Sequence, residues 1–310
     1  MSGLTKISIR YCILVCLMVF ATVASKAQQN PHFTQYMFSG LVINPAYAGV
    51  DEALSAMVID RRQWTGLEGA PKTQTLSLHT LTAKRKVGLG LLVVNDKIGI
   101  HKNLTIQGSY AYHLKVASNS FLSFGLQAGA FNIRSDYGSI QNGTPDPKLN
   151  NATINELFFE VGAGLYFRSK RFHFGISAPE LLPKTTSLNE TESVDLKNVN
   201  LFSFLKYRFG VSPAWEVEPA FLVKYANDLP LSADAAVTFI YKDILTAGVS
   251  YRWDASLGYL MKLRLTPQLQ FGYAYDFPMG SLTQLNNGSH ELMVQYLFRF
   301  ERSGIKSPRL

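Results

Sequence analysis

The chain has 310 residues, of which 30 are lysine or arginine and 22 are aspartate or glutamate, giving a formal net charge of +8. Its two cysteines, Cys12 and Cys16, lie in a leader that we expect to be removed, which excludes disulfides, cysteine-ligated zinc and cysteine nucleophiles from the mature protein. The mean hydropathy is +0.04, although the chain contains 20 phenylalanines and 15 tyrosines. Such values are typical of a transmembrane barrel, in which only every second residue meets lipid.

The leader has the three parts of a secretory signal peptide. Lys6 and Arg10 form a basic start, residues 11–23 are mostly apolar, and Ser25-Lys26-Ala27 is a small-residue cleavage site before Gln28. Because the apolar stretch is too short to span a bilayer as a helix, we predict a cleaved signal peptide over residues 1–27. Cleavage would leave 27 of the 30 basic residues against the 22 acidic ones.

Residues 28–50 do not read as a barrel strand, because Pro31, Pro45 and Gly49 interrupt them. We predict that this segment folds into the barrel lumen as a plug. A periplasmic leader with a turn at Asn44-Pro45 is the alternative. The candidate plug residues are Phe33, Tyr36, Met37, Asn44, Pro45, Tyr47 and Gly49.

The remaining chain alternates between apolar and polar residues in strand-length segments. In residues 122–130, for example, the even positions are apolar and the odd positions are polar or glycine. Because strand side chains point to opposite faces with period two, the two sets face different solvents. The predicted strands are 53–62, 73–83, 86–95, 103–115, 119–132, 155–168, 171–178, 199–210, 214–225, 231–241, 245–253, 256–265, 267–277 and 290–300.

The connections between these segments indicate an all-β, transmembrane, antiparallel up-and-down β-barrel of about fourteen strands over residues 51–300. Connections after even strands are tight turns, whereas those after odd strands are mostly long, with a short connection at Asp254 as the exception. This arrangement places both termini in the periplasm and leaves a periplasmic tail at 301–310. A soluble sandwich also alternates, but the aromatic residues Trp215, Tyr225, Tyr251 and Trp253 rim the apolar parity, as in membrane barrels.

Basic residues collect on the side of the short turns. We predict a periplasmic docking rim there, since complementary charge steers association. A rim for phospholipid headgroups is the alternative. The candidate rim residues are Lys84, Arg85, Lys86, Lys170, Arg171, Lys206, Arg208, Lys262 and Arg264. The long loops at 136–151 and 179–198 could contact an exported protein, or they could be ordinary solvated loops.

Catalytic and metal-binding patterns are weak. The six histidines are scattered without metal-ligand spacing, and His290 and Glu291 are strand neighbours that face opposite sides. We therefore expect no enzyme, no cofactor and no metal. Nucleic acid is excluded as a partner by the compartment.

Several motifs give the chain a family resemblance. Gln-Asn-Pro-His-Phe-Thr-Gln-Tyr-Met begins at Gln29 and Asn-Pro-Ala-Tyr-Ala-Gly at Asn44, followed by Arg-Arg-Gln-Trp at Arg61 and Gly-Ala-Pro at Gly69. Tyr-Ala-Tyr-Asp-Phe and Gly-Ser-His-Glu-Leu-Met close the chain from positions 273 and 288. Together they resemble the PorP/SprF family of outer-membrane proteins, which belongs to the type IX secretion and gliding machinery of the Bacteroidota.

The resemblance implies an adaptor for export or surface anchoring of secreted proteins such as gliding adhesins. It implies as partners the periplasmic and outer-membrane components of that system, a secreted surface cargo protein, and outer-membrane lipids. A porin or a FadL-like channel for small or apolar solutes is the alternative function. The barrel pattern alone does not decide between them, because a fold does not name its function.

Overall fold

The computed structural model describes residues 32–82, 86–139, 153–182, 185–187, 193–195, 199–226, 231–279 and 287–298. The predicted signal peptide, Lys84, Arg85, the tail at 301–310 and most of the two longest loops lie outside these residues. Among the described residues, no helix is both long and apolar enough to cross a membrane.

Seventeen strands are found in the described residues. Their bounds are β1 Leu54–Arg62, β2 Lys72–Leu81, β3 Val87–Ile98, β4 His101–Ala117, β5 Ser120–Asp136, β6 Thr153–Arg168, β7 Phe172–Glu180, β8 Thr185–Ser187, β9 Ser193–Asp195, β10 Asn200–Tyr207, β11 Phe209–Gly210, β12 Trp215–Ala226, β13 Ser232–Tyr241, β14 Leu245–Arg252, β15 Ser256–Arg264, β16 Leu269–Pro278 and β17 Ser289–Phe298.

Fourteen of these strands form a closed antiparallel barrel. Sequence neighbours pair along the sheet, β1 pairs with β17, and β10 pairs with β12. The strands β8 and β9 pair only with each other, and β11 adds two residues beside β12. The predicted fourteen-stranded barrel is thus confirmed. A closed sheet leaves no backbone edge unpaired in lipid, which is what a membrane requires.

The barrel wall is taller than predicted on one side. The strands predicted at 86–95 and 103–115 extend to Ile98 and from His101, so only Gly99 and Ile100 connect them. The amide of Gly99 donates to the carbonyl of Gly69 at 2.8 Å, and its φ is +55°. Hence the long-loop side has a second short connection besides that at Asp254. On this side β6 continues from Ala163, where its pairs with β7 end, to Thr153, still paired with β5.

The two faces of the wall have the predicted character. Outward side chains such as Leu126 and Phe159 are 64% and 74% exposed. The inward side chains Gln107 of β4 and Glu160 of β6 are polar and buried, and the side-chain amide of Gln107 donates to Glu160 Oε2 at 2.7 Å. The outward face therefore suits lipid, and the inward face carries the hydrogen-bonding groups.

Depth in the membrane should decide the cost of an outward charge. Leu126 lies at the middle of the apolar outward run of β5, whereas Val211, also exposed, lies in a short turn. We expect Leu126→Arg to destabilise the folded barrel by about 2–4 kcal/mol and Val211→Arg by about 0–1 kcal/mol. Equilibrium unfolding in urea from phospholipid vesicles measures both values, and equal costs would contradict this assignment of the lipid face.

Candidate functional site

Residues 32–52 lie inside the barrel. This luminal segment contacts inward groups of β17 through Thr34, of β12 through Tyr36, and of β6 and β7 through Asn44. These strands lie on different parts of the circumference, so the segment crosses the lumen. It contains a helical turn, Gly40–Ile43, and a 3-10 turn, Pro45–Tyr47.

The luminal segment runs from the long-loop half of the barrel to its short-turn end. Thr34 lies beside Arg61 and Asp276, which are near the long-loop ends of β1 and β16. Glu52 lies beside Arg168, the last residue of β6 at the short-turn end. The chain then enters β1 directly, so the segment is covalently tethered only at that end within the described residues.

Its first residues bind a buried ionic cluster, which we call the carboxylate clamp: Arg61, Asp276 and Glu291. Arg61 Nη2 lies 2.7 Å from Asp276 Oδ2, and Arg61 Nη1 lies 3.0 Å from Glu291 Oε2. All three side chains are at most 4% exposed. Arg61 and Glu291 are cross-strand partners of β1 and β17, so barrel closure brings them together.

The carboxylate clamp holds the backbone of the segment. The amides of Thr34 and Gln35 donate to the two carboxylate oxygens of Glu291, each at 2.9 Å. The Thr34 hydroxyl donates to Asp276 at 2.6 to 2.7 Å and accepts from Arg61 at 3.0 Å. Each member of the clamp has hydrogen-bonding partners, which lowers the cost of burying its charge, although the buried Nε of Arg61 has none.

An aromatic residue fills the centre of the lumen. Tyr36 packs edge-on against Phe204, with ring centroids 6.1 Å apart, in a cluster that includes Met37, Ile43 and Leu222. Its hydroxyl donates to the carbonyl of Ala220 at 3.3 Å. The carbonyl of Asp234, at 3.5 Å, is a second acceptor, so the buried side chain anchors the segment by packing and by hydrogen bonds to the backbone of the wall.

Three glycines of the wall, Gly88, Gly125 and Gly164, lie in close contact with the 3-10 turn. We call them the glycine seat. A Cβ on Gly125 would overlap the backbone of Ala46, and one on Gly88 would overlap the carbonyl of Ala48. A Cβ on Gly164 would overlap the side chain of Asn44. Only glycine therefore allows the turn to approach the wall this closely.

The side chain of Asn44 forms hydrogen bonds both to the wall and within its own turn. Its Nδ2 donates to the carbonyls of Leu165 at 2.9 Å and Ile176 at 3.3 Å, and its Oδ1 accepts from the amide of Ala46 at 2.9 Å. Asn44 thus caps the 3-10 turn while it binds two neighbouring strands.

The last residues of the segment make a second set of polar contacts. His79 Nδ1 accepts from the amide of Gly49 at 3.2 Å, and His79 Nε2 lies 3.4 Å from Asp51 Oδ2. Glu52 Oε1 lies 2.7 Å from Arg168 Nη2. Both ends of the luminal segment are therefore held by charged or polar groups of the wall.

A model of the type IX secretion system membrane protein PorP/SprF family matches residues 25–296. The chain belongs to this family. The match includes the luminal segment, all fourteen barrel strands up to position 296, and the three residues of the carboxylate clamp. Membership and the barrel together place this PorP/SprF protein in the outer membrane. That its short-turn side faces the periplasm stays a prediction.

No curated protein matches this PorP/SprF chain. Solved structures of other outer-membrane proteins are similar to it in the barrel fold. The CymD monoaromatic hydrocarbon channel is 14% identical with a TM-score of 0.49, and the match covers 85% of this chain and 94% of that one. A Pseudomonas aeruginosa FadL homologue is 12% identical with a TM-score of 0.42, covering 80% and 89%. The Acinetobacter baumannii outer membrane protein Omp33 is 10% identical with a TM-score of 0.44, covering 80% and 100%. No functional argument follows from likenesses this distant.

The structure brings the predicted plug residues of this PorP/SprF chain together in the lumen. Phe33, Tyr36, Met37, Asn44 and Pro45 are buried there. Tyr47 is half-buried against Tyr166, and Gly49, at a φ of +83°, lies against Gly88. Whether the segment closes the lumen to solutes stays a prediction. The carboxylate clamp was not predicted as a site, although its members have the inward parity of their strands.

The predicted docking rim is distributed differently. Lys206 and Arg208 contact Glu218 at 3.3 and 2.9 Å. Lys262 lies over the Phe38 ring at 4.2 Å, inside the lumen. Arg264 is half-buried, while Lys86, Lys170 and Arg171 are exposed at the short-turn side. Among the described rim residues, these three form the exposed positive surface.

Proposed function

We propose that this PorP/SprF protein is an interaction component of the type IX secretion system, which assists the export or surface anchoring of secreted proteins such as gliding adhesins. The observation that carries the proposal is the luminal segment, which is held at both ends by polar groups of the wall. An open pore needs a free lumen. The protein then acts through its exposed turns and loops and not by passing solutes or by catalysis.

The exposed lysines and arginine of the periplasmic turns support a partner on that side. Lys86, Lys170 and Arg171 are not offset by the acidic side chains that neutralise Lys206 and Arg208. A complementary acidic surface on a periplasmic component would be steered to them. Binding of lipid headgroups needs the same charges and is the competing explanation.

Purification of the full chain from its native membrane in mild detergent tests the proposed function. The expected result is the recovery of type IX secretion components or of a secreted surface protein with the barrel. Recovery of the barrel alone, combined with stable ion or solute conductance, would overturn the proposal and favour the alternative, a porin or FadL-like channel.

Reversal of charge in one periplasmic turn separates protein docking from lipid binding. We expect Lys170→Glu with Arg171→Glu to lower partner recovery about tenfold at low salt, because steering is lost, with a smaller difference at high salt. The control is Lys102→Glu with Arg134→Glu, an exposed basic pair at the other end of the barrel. Equal losses in both variants, or unchanged recovery in the first, would contradict the docking role.

A further inference from the structure

We propose that the barrel lumen is a peptide-binding site and that residues 32–52 are its bound peptide, supplied by the same chain. This inference goes beyond the proposed function, because it assigns a binding site and a ligand class to the lumen itself. The ligand class is a polypeptide segment with a hydroxyl residue at its start and a turn of small residues at its end.

The luminal segment is bound as a ligand and not as part of the wall. Its described backbone-to-backbone hydrogen bonds are internal, from Phe38 to Gln35, Asn44 to Gly40, and Val50 to Tyr47 among others. None joins it to a barrel strand among the described residues. The hydrogen bonds between the segment and the barrel each use a side chain, either of the segment or of the wall. Removal of the segment would therefore leave the backbone pairing of the barrel intact.

The carboxylate clamp recognises main chain and one side chain. Glu291 accepts from two consecutive amides, which any peptide can present. Asp276 accepts from the Thr34 hydroxyl, which requires serine or threonine at that position. Arg61 orients both carboxylates through its two terminal nitrogens. The clamp therefore fixes the position of the peptide start.

The glycine seat selects the other end by shape. Ala46 and Ala48 approach Gly125 and Gly88 so closely that larger groups on the wall would collide with the peptide backbone. Asn44 supplies two donor contacts to the wall and one acceptor for its own turn. The Asn-Pro-Ala-Tyr-Ala-Gly sequence thus matches the seat in both hydrogen bonding and size.

A single cut in the full chain tests the proposal. A protease site inserted after Ala53 would sever the luminal segment from β1 while leaving both parts in place. After cleavage in detergent, we expect the N-terminal peptide to remain with the barrel through size-exclusion chromatography. The same cut in a Gly125→Val chain, where the new side chain would overlap the backbone of Ala46, should release the peptide. In a Gly108→Val chain, where the change lies on the outer face of β4, the cut should not release it. Release of the peptide from the otherwise unaltered chain would overturn the proposal.

Addition of a peptide in trans gives an independent readout. A labelled synthetic peptide of residues 28–50 should bind saturably to a barrel lacking residues 28–50. Thr34→Ala or Asn44→Ala in the peptide should weaken binding about tenfold or more, because each removes contacts to buried groups. Equal binding of a scrambled peptide would overturn the proposal, and if the shortened barrel does not fold, the cleaved full chain decides. Neither readout depends on a secretion partner, so this inference and the proposed function fail separately.

Discussion

Replacement of Arg61 by alanine is expected to destabilise the folded protein by about 3–5 kcal/mol, which is the typical result of removing one partner from a buried ion pair. The substitution would leave the carboxylates of Asp276 and Glu291 buried without their cation. It would also remove the donor to the Thr34 hydroxyl and so weaken the hold on the luminal segment. Equilibrium unfolding in urea measures the change.

The neighbouring arginine provides a matched control. Arg62 points outward, its side chain is 63% exposed, and its ion pair with Asp60 is at the surface. Because exposed ion pairs contribute little, Arg62→Ala should change the free energy of unfolding by about 0.5 kcal/mol or less. A similar loss in both variants would show that the carboxylate clamp does not stabilise the fold.

Replacement of Gly125 by valine should expel the turn at residues 44–48 from the glycine seat. The new side chain would occupy the position of the Ala46 backbone, and no rotation of a flexible group can relieve that overlap. Overpacking of this kind costs about 1–3 kcal/mol, so the displaced state should gain about 5- to 150-fold in population. Protease digestion of residues 32–52 in the folded barrel should accelerate by the same factor.

Gly108→Val is the control for this experiment, because a Cβ there would come no closer than 3.9 Å to the carbonyl of Ala128. Gly108 lies on the neighbouring strand with its outer face exposed, so the same valine has the same strand preference without touching the segment. Equal digestion of the two variants would contradict the seat. Slower digestion of both than of the unaltered chain would contradict it as well.

The barrel itself could be predicted because period-two alternation persists wherever a strand has lipid on one side. The extension of β3 and β4 was not predicted, because this alternation ends where the strands no longer face lipid. Above the lipid, Asn95 and Lys97 point outward while Asp96 points inward, so both faces are polar and the stretch reads as a loop. In the structure this stretch pairs with β4 up to His101.

The contacts of the lumen were less accessible to sequence reasoning. The inward parity of Asp276 and Glu291 could be read from their strands, but their meeting with Arg61 depends on closure between β1 and β17, more than 200 positions apart. The glycine seat gives no sequence signal of its own, because glycine fits either face of a strand. The apolar residues Phe33, Tyr36 and Met37 suggested burial of the segment, whereas its direction through the lumen follows only from its contacts.

Single-channel recording in planar lipid bilayers tests most directly the claim that the luminal segment closes this barrel. The full chain and a variant lacking residues 28–50 would be compared under identical conditions. We expect no conductance steps from the full chain and discrete steps from the shortened one. Equal conductance from the two proteins would contradict it.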